Sequence, residues 1–237
     1  MIAINNPVGS TSSLNPLILL GAGGHAQVLL DALNRGPRKV VGVYIPENAG
    51  VPPWAETIEK INSDRHLLQE FPPERVALVL GIGSVGNNGK REQLFNHYRQ
   101  LGYRFAAVIH PNLFLADGVV LGEGCQIMAG AIVQPATVLK DNVIINTGAC
   151  IDHECIIEDH VHIAPRVVLS GGVRVGRGVH VGTGAVVIQG VCIGAGALIA
   201  AGSTVIRDVA ANTVVGGVPA RLLVAREKMM PSGNSWG

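Results

Sequence analysis

From Leu115 to Val205 an aliphatic residue occupies every sixth position without a break, through Leu121, Ile127, Val133 and so on for sixteen successive matches. Neither a helix, with a period of 3.6, nor a flat strand, with a period of two, sustains such a pattern. A six-residue period is that of a hexapeptide β-helix, in which three short strands make one triangular coil and the aliphatic residues stack inside it. Sixteen hexads make just over five coils. Four residues beyond most of these aliphatics lies a second small or β-branched residue, such as Cys125, Ala131 or Val143, and three residues beyond, ten of the sixteen positions are glycine. Coils of this repeat class wind left-handed, an exception to the right-handed crossover rule that belongs to the class and is not read from the period. Flat faces and open coil edges need covering, which predicts a closed homo-oligomer.

The repeat breaks its own rule in one stretch. The position that is glycine at 148 becomes Glu154, His160 and Arg166, then returns to glycine from Gly172 to Gly202. Asp152 to Arg166 also holds Asp152, His153, Glu158, Asp159 and His162, whereas Val167 to Thr204 carries only Arg174 and Arg177 as charges. A local breach of a strict pattern points to a functional site. His153, flanked by two carboxylates, has the side chain best suited to take a proton near neutral pH. It also reads as a surface histidine on a solvated loop, and His162 is open in the same way. His160 is expected to be exposed. His162 and His180, eighteen residues apart, are expected to stack on successive coils, but two imidazoles do not supply the carboxylate or cysteine ligands of usual metal sites, so no metal is expected.

The amino-terminal half has a different rhythm. Leu17 to Leu20 reads as a buried strand running through Gly21, Gly23, Gly24 and His25 into a helix with Val28, Leu29, Ala32 and Leu33 on one face. Further strands are expected at 39–44, 76–80 and 105–109, and a second helix at 90–101. Alternating strands and helices imply a small parallel sheet. Ligands on such sheets sit at the carboxyl ends of the strands, where glycine lets backbone N–H groups approach phosphate. Gly21 to Ala26 fits GxGxxA, which is also the pattern of an ordinary tight turn. The second strand ends in Tyr44, Ile45 and Pro46, with no acid placed to hold a dinucleotide ribose, and the half is too short for two mononucleotide units. A nucleotide-sugar fits it better.

Composition narrows the partners. The 237 residues carry 18 basic and 17 acidic side chains for a net charge of +1, so no polyanion surface is implied. Cys125, Cys150, Cys155 and Cys192 follow no CxxC spacing and read as small buried hydrophobes in a reducing cytoplasm. Cys155, at an inward position of its hexad, reads as core. The first sixteen residues lack the basic and apolar regions of a secretion signal and read as a frayed tail, and no apolar run is long enough for a membrane helix. The organisation expected is a tail over 1–16, a nucleotide-sugar-binding domain over 17–112, a β-helix over 113–210 and an extension over 211–237. The fold class is α/β plus β: a small Rossmann-like domain followed by a left-handed parallel β-helix.

Together the two halves resemble the bacterial sugar acyltransferases, a family that includes the bacillosamine-pathway and perosamine N-acetyltransferases and the sialic acid O-acetyltransferases. The resemblance runs from Leu17 to about Leu222. It rests on Gly-Ala-Gly-Gly-His-Ala at 21–26, Ile-Asn-Thr-Gly-Ala at 145–149, Asp-His-Glu-Cys at 152–155, His-Ile-Ala-Pro at 162–165 and Gly-Val-Pro-Ala-Arg at 217–221. It implies a homotrimer with active sites between neighbouring β-helices and acetyl-CoA as cosubstrate. It implies that His153 is the catalytic base and Glu154 the acid that raises its basicity. By the same resemblance Asn146, His162, Gly171 and Ala201 line the acetyl-CoA and acceptor site, while Gly23, Gly24, His25 and Gly83 hold the nucleotide-sugar. Relatives that bind uridine nucleotides commonly carry two acids where this chain has Ile45 and Pro46.

The activity expected is direct acetyl transfer to the amino group of a nucleotide-linked amino sugar. Three rivals remain at this stage: O-acetylation of a sialic acid-type sugar, a zinc β-helix enzyme resembling the γ-type carbonic anhydrases, and a trimeric binding module without catalysis.

Overall fold

The computed structural model describes residues 15–84, 86 and 88–225. Most of the expected tail and the last residues of the expected extension lie outside that range. Four parallel strands form the first sheet: β1 (Leu17–Leu20), β2 (Val40–Tyr44), β3 (Glu59–Ile61) and β4 (Ala77–Leu80), in the order β3-β2-β1-β4. Helices α1 (Gly24–Asn34), α2 (Asp64–Glu70) and α3 (Gly89–Gln100) accompany them. All four residues of β1 are buried, as are all four of β4, which is why both read as unbroken aliphatic runs. The chain steps outward from β1 through β2 to β3, then returns to place β4 on the other side of β1. The switch point therefore falls between the carboxyl ends of β1 and β4, where Gly21–His25 and Gly81–Ser84 lie.

Several expectations for this half need correction. Strand β3 and helix α2 were not foreseen, because three residues of Glu-Lys-Ile and seven mostly polar residues carry too little periodicity to stand out. Val28 does not share the buried face of α1; it is 49% exposed, and Ala26 takes its place against the sheet. Phe105 to Ile109 is not one strand. Phe105 makes a single bridge to Leu78, and Val108–Ile109 instead pairs with Gln126–Ile127 as the first rung of the second half.

The second half is the left-handed β-helix. Its two-residue strands stack in parallel at a separation of eighteen residues, Ile144–Ile145 on His162–Ile163 and Cys150–Ile151 on Val168–Leu169. The second residue of each strand points inward: Leu121, Ile127, Val133 and their successors to Val205 are at most 2% exposed and form one continuous core. Burying each such side chain contributes roughly 1.5–3 kcal/mol. The first residue points outward, and these make three rows, one per face. One row, Gln126, Ile144, His162 and His180, is buried beneath the first half. The next, Phe114, Ile132, Val168 and Val186, stands open, each residue between 38% and 53% exposed.

Each strand turns into the next through a residue in the left-handed region. Every corner from Gly118 to Gly202 has this conformation, including Ala136, Asn142, Glu154, His160 and Arg166. For residues other than glycine and asparagine this costs about 1–2 kcal/mol. At His160 the cost has a structural offset, so the expectation of an exposed ring is wrong. The residue is 3% exposed, its ring packs edge-on against Phe95 of α3 at 5.5 Å, and its Nδ1 accepts from Asn142 Nδ2 at 2.8 Å. Arg166 is exposed at φ 58°. Arg166→Gly is therefore expected to stabilise the fold, by about 0.5–1 kcal/mol once the extra chain entropy of glycine is counted, read as a higher urea midpoint with an unchanged slope.

Candidate active site

His153 sits at the corner that leaves the open face, two residues beyond Ile151. Its Nδ1 lies 2.9 Å from Glu154 Oε2, and its backbone N–H donates to Asp152 Oδ1 at 2.8 Å. Nδ1 bears the proton in that contact, which leaves a lone pair on Nε2. The two side chains are 50% and 69% exposed. Glu154 holds φ 59°, the strained corner conformation, and this places its carboxylate beside the ring. One coil further on, a Cβ at Gly171 would stand 2.6 Å from both Cε1 and Nε2 of His153. Only glycine leaves room for the imidazole there. A Cβ at Gly172 or Gly190 would meet nothing within 4 Å, so the backbone is open at these two positions of the corner above His153, where Ile188 and Gln189 also stand exposed.

The remaining candidates gather elsewhere. Asn146 opens the corner where the buried face turns into the open face, His162 lies beside it on the buried row, and Ala201 lies on the same corner three coils beyond Thr147. Within one chain the open face stands between this group and His153 with Gly171. Asn146 Nδ2 donates to His162 Nε2 at 3.1 Å, and His162 Nδ1 reaches Ser84. His162 and His180 lie on successive coils as expected, their rings edge to face with centroids 4.9 Å apart. Among the described residues no group of three or more His, Cys, Asp or Glu could hold a metal.

Gly23 caps α1 with its backbone alone, and a Cβ at Gly23 or Gly24 would meet nothing within 4 Å, so the helix N-terminus opens onto free space. His25 follows in the first turn, and its Nε2 lies 2.8 Å from Gln126 Oε1. Gly83 backs the ring: a Cβ there would approach His25 Cβ to 3.3 Å.

Sequence reading missed the residues that join the two halves. Gln126, 1% exposed, bonds His25 and also donates through Nε2 to Leu80 O at 2.8 Å. Arg91, 2% exposed, supports the join from within the first half, donating through Nη1 to Leu80 O and Ile82 O at 2.9 and 2.6 Å and so tying α3 to the loop after β4. Asn88 donates to His160 O at 2.8 Å and Val179 O at 3.1 Å. The available signal was the eighteen-residue stacking: Gln126, His162 and His180 are polar members of a single outward row, which a face open to an apolar partner would not carry.

Of the buried histidines of this seam, His25 and His162 are held neutral. Burial, then the nearby charges of His180, His25 and Arg91, lowers His162 to about 3. Burial lowers His25 to about 4 against the opposing bond to Gln126. Of the cysteines, Cys125 and Cys155 are buried as expected, but Cys192 is exposed and Cys150 half-buried. Cys155 donates to Ser170 O at 3.4 Å, and burial pushes its thiol up to about 11. It is core and not a thiolate nucleophile.

An aliphatic-cored hexapeptide coil with an open glycine corner defines the class, and comparison with known proteins agrees. The family model described as bacterial transferase hexapeptide (six repeats) matches residues 154–189, and that of the PglD N-terminal domain matches residues 16–98. Among solved structures, the acetyltransferase domain of PglB from Neisseria gonorrhoeae in complex with acetyl coenzyme A is 32% identical. The match covers 89% of this chain and 100% of that one, with a TM-score of 0.78. PerB from Caulobacter crescentus, in complex with CoA and GDP-perosamine, is also 32% identical, covering 90% and 99% with a TM-score of 0.79. WeeI from Acinetobacter baumannii, 23% identical over 88% and 99% with a TM-score of 0.71, shares the fold. No curated protein sequence matches the chain. This chain belongs to the bacterial sugar acyltransferases that join a PglD-type N-terminal domain to a hexapeptide-repeat β-helix.

Two lowered histidines make stability depend on pH. The unfolded chain protonates them near 6.5, whereas the folded chain holds them neutral down to about 4 and about 3. The unfolded state thus binds more protons below 6.5, and stability falls as pH falls, by about 2 kcal/mol for each histidine between about pH 7.5 and about pH 5. Urea midpoints at those two pH values check this, and His162→Gln is expected to remove about half of the drop.

Proposed function

We propose that this acyltransferase moves the acetyl group of acetyl-CoA onto the amino group of a nucleotide-linked amino sugar, directly, with His153 as general base, at a site shared between copies of a homotrimer. The observation that carries this reading is the His153–Glu154 pair, seated against Gly171 at the edge of the open apolar face, with open backbone at Gly172 and Gly190 on the coils beyond. That open backbone suits the narrow arm of acetyl-CoA. The open end of α1 suits a diphosphate, since a helix N-terminus favours negative charge. PerB, which shares both halves, is seen with CoA and GDP-perosamine.

The chemistry needs three things from the chain. The acceptor nitrogen must be unprotonated when it attacks the thioester carbonyl, and His153 Nε2 takes the proton it sheds as the C–N bond forms. Glu154 fixes the ring with Nδ1 protonated and stabilises the imidazolium that results. Backbone N–H groups of the glycine-rich corner stabilise the oxygen charge before the C–S bond breaks and CoA leaves as its thiol. The buried, protonated Cys155 argues against an acyl-cysteine route.

The homotrimer is supported by Phe114, Ile132, Val168 and Val186, a ladder of apolar side chains with no cover in the single chain. A second copy on that face would bring its His153 corner toward the Ser84–His162 edge of the first. Val168→Asp is expected to convert a three-copy particle into monomers in sedimentation velocity, and to abolish turnover although His153 is untouched. An active monomer would remove the shared site.

CoA release with a panel of nucleotide-linked amino sugars, and with free sialic acid for O-transfer, tests the activity. His153→Ala is expected to keep fold and acetyl-CoA binding while turnover falls by about 10² to 10⁴. A variant with normal turnover at neutral pH would refute the mechanism.

A further inference from the structure

The protons around His162 can be assigned from its partners alone. Asn146 Oδ1 accepts from Thr147 N at 2.8 Å and Thr147 Oγ1 at 3.3 Å, which turns the amide so that Nδ2 faces His162 Nε2. An amide N–H only donates, so Nε2 carries a lone pair. A neutral imidazole then has its proton on Nδ1. That nitrogen lies 3.0 Å from Ser84 O and 2.9 Å from Ser84 Oγ. A carbonyl only accepts, and the hydroxyl, facing an N–H, must accept as well. The proton of Ser84 therefore points away from His162.

Ser84 occupies the end of the β4 loop, at the switch point of the sheet. Gly83 before it packs against His25, whose loop opens onto the N-terminus of α1. His162 fixes Ser84 from the other side, on the row where the two halves of the chain meet. The hydroxyl thus sits between the open N-terminus of α1 and the coils, half-buried, with its orientation dictated by a chain running from Thr147 through Asn146 and His162.

We propose that Ser84 is a specificity-determining residue whose hydroxyl, held in one orientation by the Asn146–His162 pair, donates a hydrogen bond to an oxygen of the acceptor. This rests on reading the Gly21–His25 and Gly81–Ser84 edge as the acceptor pocket. The oxygen belongs either to the sugar or to the diphosphate, and the two differ in strength. A neutral sugar oxygen predicts an affinity loss of about 3- to 10-fold on removing the hydroxyl, a charged phosphate oxygen about 10- to 100-fold.

Ser84→Ala is a clean probe because the main-chain oxygen remains to accept from His162 Nδ1. Titration calorimetry of the full-length protein would use UDP, GDP and dTDP and their 4-amino-4,6-dideoxy sugars, with acetyl-CoA as the control ligand. Ser84→Ala is expected to weaken the acceptor and leave acetyl-CoA affinity and the melting temperature unchanged, and Ser84→Thr is expected to restore binding. Loss confined to the sugar conjugates assigns a sugar oxygen; equal loss with the bare diphosphates assigns a phosphate oxygen. Gly24→Val, which enters open space at the helix N-terminus, separates the two levels of the argument. If Gly24→Val weakens the acceptor and Ser84→Ala does not, the role of Ser84 is overturned and the pocket stands. If neither variant changes acceptor affinity, both are overturned.

Discussion

The left-handed corner residue recurring every six positions is the constraint on which the rest of this molecule hangs. It turns each two-residue strand through the angle that closes a triangle, and closure brings residues eighteen apart into parallel register. Register in turn sends one aliphatic side chain per strand into a continuous core and leaves the neighbouring one outside. Three outward rows follow, each a straight column because the coils repeat without drift. One column is polar and buried under the first half, another apolar and open. The candidate residues of the coil, His153 with Gly171 and Asn146 with Ala201, are placed at the two edges of the open column by that geometry.

The two halves meet through buried polar groups beside an apolar patch, in which Met128 of the coil packs into the core of the first half. Gln126 and Asn88 reach backbone carbonyls or a fixed ring across the seam, while Arg91 holds the loop after β4 from within the first half. Such bonds are directional, so they set orientation as well as contact. Burial keeps His25 and His162 neutral, and the amides of Gln126 and Asn146 decide which ring nitrogen of each carries the proton.

Breaches of the corner rule separate into two kinds once side chains are seen. His160 keeps its strained backbone because its ring is packed between Asn142 and Phe95, which docks α3. Glu154 keeps the same strain with its carboxylate exposed beside His153. The first is offset by packing and the second is not, which is also true of the exposed Arg166; what sets Glu154 apart is its carboxylate 2.9 Å from His153 Nδ1.

Much of this was legible in the residues. The six-residue period determined the coil, its inward row and its corners, because a repeat that buries one side chain per strand leaves no alternative pattern. The glycine run after β1 and the Asp152–Glu154 cluster located both ends of the site, since strained turns and clustered charges are local properties of a chain. Tertiary structure alone decided that His160 is buried, that Val108–Ile109 joins the coil and not the sheet, and that His153 and His162 lie on opposite edges of one open face. It also decided the proton positions on His25 and His162. These depend on which groups far apart in sequence come within about 3 Å of one another, and no local pattern carries that distance.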